Sequence, residues 1–150
     1  IGIFEDMLAN IVALAAFIPV ILGMGGNIAT QSSTIIVRGM ATGRVNIGGE
    51  IKLIFKEVKV GLILGSLYGI LLGVFAKFNF AGAPNNLGFV VGLSICASMI
   101  VAATVGTIIP LILRKLDIDP AIATGPFVTT SIDILGVLFY FLIASIFLQI

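Results

Sequence analysis

Between Phe127 and Ile150 an almost unbroken apolar run contains two ionisable side chains, Asp133 and Tyr140. A carboxylate inside a segment of membrane length is costly and marks a functional candidate. Gly125, Thr129, Asp133 and Gly136 recur at helical spacing, so one face of a helix gathers them, with Tyr140 continuing it. That face is small, oxygen-bearing and acidic, whereas the rest of the run is Ile, Leu, Val and Phe. A second set of residues lies far upstream. Pro19 precedes Gly23-Met24-Gly25-Gly26-Asn27, and Thr30, Gln31, Ser32, Ser33 and Thr34 follow. Each glycine weakens a helix by about 1 kcal/mol relative to alanine, and proline removes one ladder bond. The expectation is a helix loosened there, its carbonyls turned towards a water-filled cavity. The alternative is a kinked but inert helix.

These residues offer hard oxygen ligands only: a carboxylate, an amide, hydroxyls and backbone carbonyls. The chain has no histidine and a single cysteine, Cys96, so zinc, copper and similar softer ions are poorly served. One carboxylate per chain suits an ion that keeps most of its water, as Mg²⁺ does. Composition alone leaves Ca²⁺, Na⁺ and a proton path open. Lys77 lies towards the outer end of its span and the other seven basic residues lie in polar segments, so none is placed to pair with Asp133. A carboxyl hydrogen-bonded to a neighbouring helix is the competing account. No catalytic or cofactor-binding residue is assigned, and no enzymatic activity is expected.

The elements that must position these groups follow from composition. Of 150 residues, 59% are hydrophobic and 10% charged, with a mean hydropathy of +1.26. Ordinary soluble domains carry about 25% charged residues, so the chain reads as an all-α membrane protein, a polytopic helix bundle. Apolar runs fall at about 7–37, 60–76, 87–113 and 127–150, and a helix needs about 20 such residues to cross the hydrocarbon. The whole chain, 1–150, is read as one transmembrane domain. Ile51, Leu53, Ile54, Phe55 and Val58 could lengthen the second span or lead into it. Gly61, Gly65, Gly69 and Gly73 form a bare groove for close helix packing, as do Gly88 and Gly92, and then Ser94, Ser98, Ala102 and Gly106. Cys96 is read as a small packing residue.

Segments 38–59 and 114–126 hold seven of the eight basic residues, which makes them cytoplasmic by the positive-inside rule and puts the C-terminus outside. Asp117 or Asp119 is placed to cap a short helix at Pro120, with a break at Gly125-Pro126 before the last span. Because Ile1 is not a Met and four spans leave both ends outside, a further helix before Ile1 is expected.

FEDMLANIVALAAFIPVILGMGGNIATQSSTIIVRGMATGRV resembles the second membrane helix of the MgtE family of magnesium channels, and LDIDPAIATGPFVTTSIDILGVLFYF resembles its fifth. Segment order and spacing match as well, so the resemblance covers essentially the whole chain. It implies a homodimeric Mg²⁺ channel of five membrane helices per subunit, in a prokaryotic inner membrane, with the pore between the second and fifth helices. Nucleic acid is not among the expected partners; the lipid bilayer and Mg²⁺ are. By motif match Asp133 would recognise the hydrated ion. Gly25, Gly26, Asn27 and Thr30, with Gly125 and Thr129, would line or shape the pore. The first helix and the cytoplasmic regulatory domains of the family are missing from this sequence, and Thr30 and Gly125 stand where some members have asparagine. Two other classes remain: a proton- or Na⁺-coupled transporter of divalent cations, and a non-transporting assembly subunit.

Overall fold

The computed structural model describes residues 12–45, 49–80 and 83–148. The expected start of the first span, residues 7–11, lies outside the described residues. Four long helices make up the bundle described: α1, Ala13–Ala41; α2, Glu50–Asn79; α3, Leu87–Lys115; and α4, Pro126–Leu148. All four are long and apolar enough to cross a membrane, and among the described residues there is no strand. The protein is an integral membrane protein of all-α class.

The helices outrun the apolar spans. α1 continues through Arg38, and α2 begins at Glu50, well before Val60, so Lys52, Lys56 and Lys59 are helical. A helix pairs its own backbone groups in lipid and in water alike, so a change of solvent need not end it. What ends α1 is chain geometry. Gly43 takes a left-handed φ of 68°, and Arg44 N–H turns back to the Gly39 carbonyl at 2.9 Å. The α1–α2 turn is then tied to the end of α3, where Arg114 Nη1 donates to the Val45 carbonyl at 3.2 Å. Between α3 and α4, Asp119 accepts the Ala121 N–H at 2.9 Å and caps a 3-10 helix, Pro120–Thr124. Gly125 is extended, and α4 starts at Pro126. The expected short helix, break and long helix are all present.

α3 is the central helix, packed against α1, α2 and α4. α2 lies along it through backbone-to-backbone contact. A Cβ on Gly61 or Gly65 would come within 2.9 Å of the Met99 or Cys96 carbonyl oxygen; one on Gly69 or Gly73 would meet Gly92 O at 2.5 Å or Gly88 O at 2.6 Å. The glycine stripe therefore packs as expected, and Gly106 likewise abuts the Ala29 carbonyl of α1. Cys96 belongs to this packing, with its sulfur 3.8 Å from Ser66 Oγ. Outward, α2 shows Ile63, Ile70 and Phe75 to the surroundings, an apolar face suited to lipid.

α1 and α4 run antiparallel. Tyr140 OH donates to the Leu14 carbonyl at 2.9 Å at one level, while Gly25 sits under Ile132 at another. The expected loosening of α1 is not found: the helix is continuous from Ala13 to Ala41 with Pro19 inside it. Packing explains this. A Cβ on Gly25 would lie 3.0 Å from Ile132 Cγ2 and 3.3 Å from Ser98 Oγ, so this glycine serves close approach rather than a break.

Candidate functional site: the α1–α4 edge

Gly26 and Thr129 bring the two halves of the site together. A Cβ on Gly26 would lie 3.9 Å from Thr129 Cγ2, ordinary van der Waals contact. The Thr129 hydroxyl donates to the Pro126 carbonyl at 3.1 Å, which fixes the side chain beside the start of α4 and leaves its oxygen able to accept. Asp133 follows one helical turn further along the same side of α4 and is half-buried. Among the described residues it has neither an ion pair nor a side-chain hydrogen bond. Antiparallel packing sets it beside the Leu22–Gly23 level of α1, and Gly23 there faces open space. A half-buried carboxylate thus stands at the rim of the α1–α4 contact.

The remaining candidates distribute unevenly. Thr30, half-buried, lies one turn along α1 from Gly26 on the same flank. Asn27 is exposed, on the uncovered face of α1 with Gly23 and Gln31. Gly125 is half-buried with nothing within 4 Å of its Cβ direction, so a Cβ there meets no clash. Gly25 departs from its expected place: it is buried against Ile132 and Ser98, in the packing behind the rim. Since α1 is unbroken, carbonyls around Gly25-Gly26 belong to a helical ladder. This corrects the expectation that loosened backbone would supply ligands. Gly136 and Tyr140, expected to prolong the acidic face, turn into the bundle. Gly136 is buried, where a Cβ would lie 3.2 Å from Ser98 Oγ, and Tyr140 is fully buried. The oxygen-bearing edge therefore consists of Thr129 and Asp133 on α4 and Thr30 and Asn27 on α1. Among the described residues no group of three or more His, Cys, Asp or Glu side chains could hold a dehydrated metal. One carboxylate with amide and hydroxyl neighbours can attract a cation and hold it through water.

A family model described as MgtE, a divalent cation transporter, matches residues 18–143. The chain belongs to the MgtE family. It is 42% identical over 149 residues to the magnesium transporter MgtE of Bacillus subtilis, covering 99% of this chain and 33% of that protein. It is 38% identical over 146 residues to the magnesium transporter MgtE of Thermus thermophilus, covering 97% of this chain and 32% of the relative. The MgtE protein of Enterococcus faecalis is 37% identical, with the same coverage. The chain thus spans about a third of the length of these relatives. The matched MgtE region contains both halves of the α1–α4 edge and every candidate residue named above.

One acidic residue escaped the sequence reading. Glu57 of α2 is 4% exposed and accepts the Ser32 hydroxyl of α1 at 3.0 Å through Oε2. A signal was available: Glu57 stands one turn before Gly61, on the stripe that continues through Gly65, Gly69 and Gly73. A face that packs on a neighbouring helix buries whatever prolongs it.

Proposed function

We propose that this chain is the membrane domain of a Mg²⁺ channel, conducting the ion down its electrochemical gradient along the α1–α4 edge. The observation that carries the reading is Asp133, half-buried and, among the described residues, without an ion pair or side-chain hydrogen bond. Asp133 attracts the ion and selects it largely through retained water, while Thr129, Thr30 and Asn27 orient that water. The magnesium transporters to which the chain is similar support Mg²⁺ as the ion carried. Other divalent cations compete according to the size and charge of their hydrated forms.

The uncovered face of α1, with Gly23, Asn27 and Gln31, lies alongside this edge. A second copy of the chain across a two-fold axis would place two such faces and two Asp133 carboxylates around one passage. Segments 38–59 and 114–126 face the cytoplasm of a prokaryotic inner membrane, and the C-terminal end of α4 lies outside. The continuous course of α1 favours a channel over a proton- or Na⁺-coupled transporter, whose sites characteristically use discontinuous helices.

The test is divalent flux into liposomes for the wild type and Asp133→Asn, with equal membrane incorporation checked. Asp133→Asn keeps the shape and removes the charge, and is expected to cut Mg²⁺ flux by about tenfold or more. Wild-type flux in this variant sinks the assignment. Flux that requires a proton gradient transfers the chain to the coupled class.

A further inference from the structure

Glu57 lines a cavity of about 190 Å³ between α1 and α2, together with Gln31, Ser32, Lys56 and three apolar side chains. At 4% exposure Glu57 is more buried than Asp133, and among the described residues its partner is a single neutral hydroxyl. A buried carboxylate is costly unless charge or several hydrogen bonds offset it. Lys56 reaches the same cavity, but its side chain is exposed, and among the described residues no ammonium lies within ion-pair distance of Glu57. Lys115 instead pairs with Glu50, at 3.7 Å.

Ser32 lies about 15 Å along α1 from the level of Asp133, towards the α1–α2 turn. Asp133 borders one flank of α1 and Glu57 the other, and the uncovered polar face with Asn27 and Gln31 connects them. Gln31 belongs to both, being exposed on that face and part of the cavity wall.

We propose that Glu57, Ser32 and Gln31 form a second cation site, an inner station that takes a hydrated divalent cation between the Asp133 level and the cytoplasmic end. Its ligands are a carboxylate, a hydroxyl and an amide, all hard oxygen, which suits Mg²⁺ or Mn²⁺ and not softer metals. Its role as a station on a path rests on the channel reading, whereas the binding site itself does not.

The experiment separates the two. Mn²⁺ is titrated into the protein in lipid nanodiscs, with free Mn²⁺ read by electron paramagnetic resonance, for wild type, Asp133→Asn, Glu57→Gln and the double variant. Glu57→Gln keeps the shape and the hydrogen bond to Ser32, and is expected to bind one Mn²⁺ fewer per chain than wild type. The same loss is expected when Glu57→Gln is added to Asp133→Asn. Glu57→Asp keeps the charge on a shorter stem and is expected to retain the ion with affinity lowered about tenfold; it serves as the readout if Glu57→Gln does not fold. Unchanged Mn²⁺ number and affinity in Glu57→Gln, or an affinity in Glu57→Asp equal to wild type, overturns the site and leaves Glu57 as a packing partner of Ser32. Failure of the channel reading would show instead as unchanged flux in Asp133→Asn, with the Glu57-dependent Mn²⁺ still bound.

Discussion

Alanine at Gly69 tests how tightly α2 is held to α3. Its Cβ would fall 2.5 Å from the Gly92 carbonyl oxygen, with the Gly92 carbonyl carbon at 3.3 Å. Neither neighbour is a flexible side-chain end, so relief requires that the helices separate. The oxygen must retreat by about 0.5 Å to reach even the 3.0 Å limit of real Cβ contacts. Gly61, Gly65 and Gly73 make comparable contacts on the same line, so separation loosens all four. Overpacking of this kind costs about 1–3 kcal/mol. Alanine recovers about 1 kcal/mol of helix propensity. The steric loss equals or exceeds the propensity gain, which predicts a net loss of up to about 2 kcal/mol. Gly23→Ala is the control, because nothing lies within 4 Å of its Cβ direction and only the propensity gain applies. Reversible unfolding in mixed detergent micelles measures both. Gly69→Ala matching Gly23→Ala in stability would refute the reasoning, since it would mean that α2 and α3 are not in backbone contact.

Two further perturbations probe the α1–α4 side. Tyr140→Phe removes the hydrogen bond to the Leu14 carbonyl while keeping the ring in the core, and is expected to lower stability by about 1 kcal/mol, read by the same unfolding assay. Ser98→Ala removes a buried hydroxyl that has no hydrogen-bond partner among the described residues and lies between Gly25 and Gly136. It is expected to leave stability unchanged or raise it, because no bond is lost and a desolvated polar atom is removed; a clear fall would mean that the hydroxyl is in fact paired.

Most of the architecture was legible because the bilayer allows few solutions. Helix existence followed from run length, and the glycine stripe on α2 announced its partner surface. The cap at Asp119 and the restart at Pro126 followed from local turn chemistry. Two readings required tertiary information. Pro19 and Gly23–Gly26 carry a strong local signal for a broken helix, but Ile132 and Ser98 pack on Gly25 and convert the missing side chain into contact. Glu57 lies in segment 38–59, which is polar in sequence. It is buried because the α2 helix starts early, at Glu50, and carries the glycine face past the apolar run. Asp133 could be singled out because its surroundings are apolar in sequence as well as in space.

The continuity of α1 also bears on how an ion would be handled at the α1–α4 edge. A dehydrated Mg²⁺ demands near-ideal octahedral coordination by oxygen. An opened helix could have contributed carbonyls towards that set, but a continuous one keeps them in its own ladder. Side chains at the edge then supply one carboxylate, two hydroxyls and an amide, and the Thr129 hydroxyl has already given its hydrogen to Pro126. Such a set cannot replace a full water shell, although it can order one. On the proposed reading, discrimination rests on the size and charge of the hydrated ion. Ions that dehydrate readily would gain nothing by doing so here. A carboxylate acting through water also holds its ion weakly enough to release it, which conduction requires.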